Sequence, residues 1–231
     1  MSDVAHDNVP APDRAVPPTR HKRSLLRTIA HWLSVALHPL FLPTFTLWLA
    51  FRCDPHLAFF LPGEARWIIL GMVALMTIAF PITSALLLLR AGLISSLEMP
   101  GRTERIAPYL MTMIYYAMTW YLLRRSPLHP AVQGLLLGAL IALAATTLIT
   151  LRWKISAHMV GIGGAIGALT GLAVMHGLPI LPPIALLIVL AGALASARLL
   201  ASDHTPAQVY IGVLLGGACT YVCVQLFGTL P

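Results

Sequence analysis

Three polar stretches interrupt an otherwise apolar chain, and their residue types could handle a phosphate group. In the last of them, residues 196–208, Arg198 is followed by His204 and then by Gln208. Thr205, Pro206 and Gln208 fit the N-cap, first and third positions of a capping box, which predicts a helix opening at 206. His204 would then stand just ahead of free backbone N–H groups and the positive end of a helix dipole, a setting that favours an anion. A capped membrane helix with interfacial polar residues would carry the same pattern. The second stretch, residues 151–159, makes Ser156 the N-cap of another helix and puts His158 in its first turn. Arg152, Trp153 and Lys154 just before it are residues of a membrane interface. The earliest stretch, residues 91–108, holds Glu98, Arg102, Glu104 and Arg105. On one helical turn Arg102 and Arg105 share a face and could fork onto one phosphate. In a solvated loop they would pair with the neighbouring glutamates instead.

Composition says what kind of element must position these groups. Of 231 residues, 58% are hydrophobic and only 10% charged, with a mean hydropathy of +0.82. A soluble domain carries roughly 25% charged residues, so most of this chain must face lipid. The formal charge of +7 sits in loops and in the N-terminal arm, as cations that flank membrane spans do. No basic stripe is interleaved with exposed aromatics, so nucleic acid is not expected as a partner. The three cysteines, Cys53, Cys219 and Cys223, read as small buried hydrophobes, because no fourth thiol could complete a metal site.

Residues 1–27 are basic and proline-rich and are expected to form a disordered arm; residues 28–231 are expected to be a membrane-embedded helical domain. Seven apolar runs, 29–51, 66–89, 107–123, 131–151, 157–176, 181–199 and 207–228, lie near the ~20 residues that a spanning helix needs. Nothing alternates with a period of two, which excludes a β-barrel. The expected fold is all-α, a polytopic transmembrane bundle of about six to seven membrane-spanning helices. In the first run, His38 precedes Pro39 and Pro43; it either lines a site facing the bundle interior or is packed and bonded to nearby backbone. Gly163, Gly167 and Gly171 recur every four residues and bare one helix face for close approach. No strand precedes them, so they are not a nucleotide loop. Counting spans puts the three polar stretches and the arm on one side of the membrane. Arg52, Arg66, Arg124 and Arg125 fall on the other side, and the remaining eleven of fifteen Lys and Arg fall on the side of the polar stretches. That asymmetry orients the polar stretches towards the cytoplasm of a cell membrane, the inner membrane in a Gram-negative cell.

The stretches resemble the motifs of the type-2 phosphatidic acid phosphatase family, integral membrane lipid phosphatases with the patterns K-x6-R-P, P-S-G-H and S-R-x5-H-x3-D. Ala197-Arg198, His204 and Gln208 match the third, with Ala for Ser and Gln for Asp. Ile155-Ser156-Ala157-His158 matches the second, and Arg105-Ile-Ala-Pro108 is a loosened first motif whose lysine position is Glu98. The resemblance covers about residues 98–216. It implies that His204 is a nucleophile forming a phosphohistidine, and that His158 protonates the leaving oxygen and later activates water. Arg198 and Ser156, with Arg105 or Arg102, would hold the phosphoryl oxygens. Lys154 could stand in for the absent lysine, while Gln208 would orient His204 without the family's charge; Asp203 is a second candidate for that role. The implied substrate is a phosphorylated lipid, such as a phospholipid or a polyprenyl (di)phosphate, and no metal or cofactor is required. Gln208 and Glu98 also admit a catalytically weak relative that binds or translocates such a lipid. A further alternative is a metal or haem protein ligated by His38, His158 and His204.

Overall fold

The computed structural model of the protein describes residues 20–59, 61–99, 101–201 and 204–228. Every regular element among them is helical. The arm expected over 1–27 lies outside the described residues as far as residue 19, and helix α1 (Arg20–Ala36) already occupies the rest.

The first apolar run does not form one helix. After α1 the chain turns through residues 37–41 and restarts as α2 (Leu42–Cys53). Pro39 disfavours helical backbone at His38, and Pro43 is tolerated only because it falls in the first turn of α2. A short helix, α3 (Pro55–Phe59), leads to α4 (Gly63–Ala74), which continues through a π-helical turn, Leu75–Ala79, into α5 (Phe80–Arg90). The π turn lies directly ahead of Pro81, whose ring would otherwise meet the carbonyl four residues back. A single 3-10 turn, Thr103–Arg105, opens α6 (Ile106–Leu123). The last four helices are α7 (Pro130–Thr150), α8 (Ala157–His176), α9 (Leu181–Leu200) and α10 (Pro206–Gly228).

Five helical stretches are long and apolar enough to cross a bilayer: Gly63–Arg90, α7, α8, α9 and α10. They mark the chain as a membrane protein. Large apolar side chains on the outer faces, among them Trp67, Ile114, Leu148, Val189 and Leu214, are exposed, which lipid tolerates and water would not.

Helix α8 is the hub, packed against α2, α7, α9 and α10. Its contact with α10 is the tightest in the molecule because both backbones are bare where they cross. A Cβ on Gly163 would strike the Val213 carbonyl, one on Gly167 the Gly217 carbonyl, and one on Gly216 the Val160 carbonyl. Thr220 adds a rivet, its hydroxyl donating to the Gly164 carbonyl at 2.8 Å. On its other flank α10 meets α7, where a Cβ on Gly138 would come within 2.6 Å of Thr220 Cα.

Contacts at the ends fix the register of the remaining segments. His38 meets His158 at the start of α8, with ring centroids 5.2 Å apart, and Asp54 meets His176 at its end, at 2.6 Å. Residues 38–54 therefore run beside α8 over its whole length. Likewise Arg102 Nη1 donates to the Arg152 carbonyl at 2.7 Å, and Gln133 Nε2 to the Arg124 carbonyl at 3.4 Å, so α6 and α7 run side by side from end to end.

The glycine contact predicts a contrast between two substitutions. Gly216→Ala forces the α8 and α10 backbones apart and should cost about 1–3 kcal/mol by overpacking. Gly192→Ala on α9 meets no heavy atom within 4 Å and should be neutral or slightly stabilising through helix propensity. Thermal unfolding in detergent compares the two; equal loss in both variants would contradict the packing account.

Candidate functional site

Because α8 and α10 cross so closely, their N-termini lie side by side, joined by a weak bond from Ser156 N to the Gln208 carbonyl at 3.4 Å. His204 is buried two residues ahead of α10. Its Nδ1 lies 3.2 Å from Gln208 Oε1, and the same oxygen accepts the Thr205 backbone N–H at 3.1 Å. The Gln208 arm of the expected capping box is thus in place. A backbone N–H can only donate, so the atom between them is the amide oxygen, and His204 Nδ1 must donate to it as well. The neutral ring then presents the lone pair of Nε2. Burial, followed by the nearby charge of Arg198 and more weakly those of Lys154 and Arg105, holds the imidazole down to about 4, although the bond to Gln208 pulls the other way. His204 is therefore uncharged at neutral pH.

His158 stands in the first turn of α8. Its Nε2 lies 3.1 Å from the Ser34 carbonyl, which can only accept, so Nδ1 is the atom left for proton transfer. Ser34 also accepts Arg198 Nη1 on its hydroxyl at 3.4 Å, and this single buried residue of α1 ties both groups in place. Ser156 occupies the N-cap position of α8, with φ −84° and ψ 102°, yet its side chain makes no cap bond. The residue is fully buried, and its Oγ has no hydrogen-bond partner among the described residues. A buried hydroxyl without a partner costs about 1–3 kcal/mol, which a ligand oxygen would recover.

The two arginines of the 91–108 loop separate. Arg105 is buried at the mouth of α6, with Nε donating to the Met99 carbonyl at 2.8 Å, and its charge reaches His204. Arg102 stays exposed and spends Nη1 on the Arg152 carbonyl; its charge is not among those acting on His204. Nor do the loop charges pair with one another: Glu104 Oε2 accepts Ser95 N and Oγ at 3.1 and 2.8 Å, and no Arg–Glu ion pair forms there among the described residues. Glu98 is exposed. Asp203 lies outside the described residues.

Three neighbours carry no motif. Ser34 pins His158 and Arg198 as described. His38 both accepts the Leu40 N–H on Nδ1 at 3.4 Å and sets its ring edge-on against His158. Tyr109 bonds Arg105 and lies in the field of Arg198. The signal for the first two was a polar pair, four residues apart, in an apolar run. Below them, a cavity of about 80 Å³ lined by Pro39, Tyr116, Ala157, Val160 and Thr220 continues into the apolar interior. Compared with known proteins, the chain matches no family model, no curated protein and no solved structure.

The lowered His204 predicts a pH effect on stability. Between pH 6.5 and about 4 the unfolded chain binds a proton that the folded His204 refuses, so this residue makes stability fall as pH falls across that window. Replacing it by His204→Gln should flatten the slope of the thermal midpoint between pH 7 and 4.5. An unchanged slope would mean that His204 is not held neutral.

Proposed function

We propose that the protein is an integral membrane phosphatase that removes phosphate from a phospholipid or a polyprenyl (di)phosphate through a phosphohistidine. One observation carries this reading: a buried, uncharged histidine, fixed by Gln208 in the tautomer that bares Nε2, faces the charges of three cations from three separate segments, the end of α9, the loop before α8 and the turn before α6. Neutral imidazole is a nucleophile only through its unprotonated nitrogen, and cations gathered around it suit a phosphoryl group in transit. In the proposed reaction His158 enters with a proton on Nδ1 as well as on Nε2, held so by the bound phosphate dianion. His204 Nε2 attacks phosphorus, the bond to the lipid oxygen breaks, and His158 gives that oxygen its Nδ1 proton. His158 Nδ1 then takes a proton from water, whose oxygen attacks phosphorus, and the P–N bond breaks to free phosphate and neutral His204, with His158 again protonated. Arg198, Lys154 and Arg105 balance the charge on the phosphoryl oxygens, and Ser156 donates its free hydroxyl. The same reading takes the segment 37–53, the stretch 63–90 and helices α6 to α10 as seven crossings. The site and the N-terminus then face the cytoplasm, where the excess of cations lies.

One feature favours the second reading, a relative that binds or moves the lipid without hydrolysing it. Gln208 already serves the Thr205 N–H as a helix cap and brings no negative charge to an imidazolium that would form at His204. By analogy with amide-for-carboxylate exchange behind a catalytic histidine, the rate loss could reach roughly 10⁴-fold.

Phosphate release from phosphatidic acid and polyprenyl diphosphate vesicles, with purified protein and chelator present, tests the proposal. His158→Ala and Arg198→Ala should each abolish release while the protein still inserts and folds. Gln208→Asp should match or exceed the wild type. Near-normal release from either alanine variant would reject the assignment. Release gained only in Gln208→Asp would favour the second reading.

A further inference from the structure

At the opposite end of α8, away from the candidate site, three histidine rings surround one carboxylate. Asp54 caps the end of α2, and its side chain is fully buried. Its Oδ1 accepts the His56 backbone N–H at 2.9 Å and lies 3.1 Å from His56 Nδ1. Its Oδ2 lies 2.6 Å from Nδ1 of His176, the last residue of α8. The chain leaves His176 through Gly177 in left-handed backbone, φ 62°, so the ring is set at a sharp turn. The rings of His56 and His176 stack with centroids 4.5 Å apart, and His129 closes a third side edge-on at 5.1 Å from His176. Among the described residues, the ion-pair partners of Asp54 are these two histidines.

We propose that Asp54, His56 and His176 form a binding site for a divalent transition-metal ion of the zinc type, with Nδ1 of each histidine and one or both Asp54 oxygens as ligands. The ligand atoms already lie within 4.8 Å of one another. A tetrahedral ion at about 2.0–2.1 Å from each ligand sets them roughly 3.3 Å apart. His56 Nδ1, 3.1 Å from Oδ1, is close to that value, whereas His176 Nδ1, 2.6 Å from Oδ2, must withdraw by about 0.7 Å to admit the ion. Two imidazoles and one carboxylate suit zinc better than a hard cation such as magnesium or calcium. The ion takes the place of the two Nδ1 protons and gives the buried carboxylate a cation. His56, whose side chain is 56% exposed, supplies the entry path and leaves room for a water as fourth ligand. His129 is a wall rather than a ligand: its Nδ1 accepts the Ala131 N–H at 3.2 Å, which leaves the proton on Nε2. An ion here clamps the turn after α2 to the end of α8. It thereby steadies the segment whose other end carries His38.

The test uses the full chain in detergent, stripped with chelator and titrated with Zn²⁺ and, in parallel, with Co²⁺. One equivalent of Zn²⁺ should bind and raise the thermal midpoint, and Co²⁺ should show the visible ligand-field bands of a four- or five-coordinate site. Asp54→Asn should lose both signals. Should that variant fail to fold, His56→Ala decides, because its ring is largely exposed: binding should weaken on the order of tenfold or more. His31→Ala, an exposed histidine of α1, should bind as the wild type does. No stoichiometric binding, or binding unchanged in His56→Ala, would overturn the site. Phosphate release plays no part in this readout, so the two proposals fail separately.

Discussion

The close crossing of α8 and α10 is the constraint on which the rest of the structure depends. Side chains normally hold two helices 8–10 Å apart, and here glycines on both partners remove them. The two N-termini are thereby drawn together at one end of the bundle. Everything chemical at that end follows from this spacing. Ser156 and His158 come from one helix start, His204 and Gln208 from the other, and α9 and α1 deliver Arg198 and Ser34 from the side.

The assembled end is electrostatically biased. Its histidine is buried and uncharged, and the charges acting on it are positive. Gln208 settles the tautomer of His204 but subtracts nothing from this positive field. A carboxylate in its place would stabilise an imidazolium and also weaken the attraction for a dianion. Under the proposed function an amide would favour binding over nucleophilic strength, and there the two proposed readings divide. The unpartnered Ser156 hydroxyl points the same way, since it is a donor that the protein itself leaves unused.

Much of this was legible in the sequence because it rests on local rules. Capping chemistry located His204 just ahead of α10, Gln208 in its first turn, and Ser156 and His158 at the start of α8, and the four-residue glycine repeat announced the close helix pair. The first apolar run was harder. Its prolines were visible, but hydropathy alone did not show that Pro39 would break the helix and leave α2 with twelve residues, about 18 Å of rise. Spacing could not separate Arg102 from Arg105 either. Which one turns inward depends on the 3-10 turn that feeds α6 and on the distant Arg152 carbonyl. The joining of Ser34 to His158 and of Asp54 to His176 was hidden for a simpler reason. These partners lie more than a hundred residues apart, and no periodicity links positions that meet only when whole helices pack.

The central claim is that His204 accepts a phosphoryl group, and trapping the covalent adduct tests it most directly. Purified protein is mixed with polyprenyl diphosphate or phosphatidic acid labelled in the scissile phosphoryl group, quenched in base within the first turnovers and digested for mass spectrometry. The account predicts a phosphoryl group on the peptide bearing His204, stable in base and lost in acid, absent from His204→Ala and accumulating in His158→Ala. An adduct on another residue, or steady phosphate release with no adduct at any quench time, would contradict it.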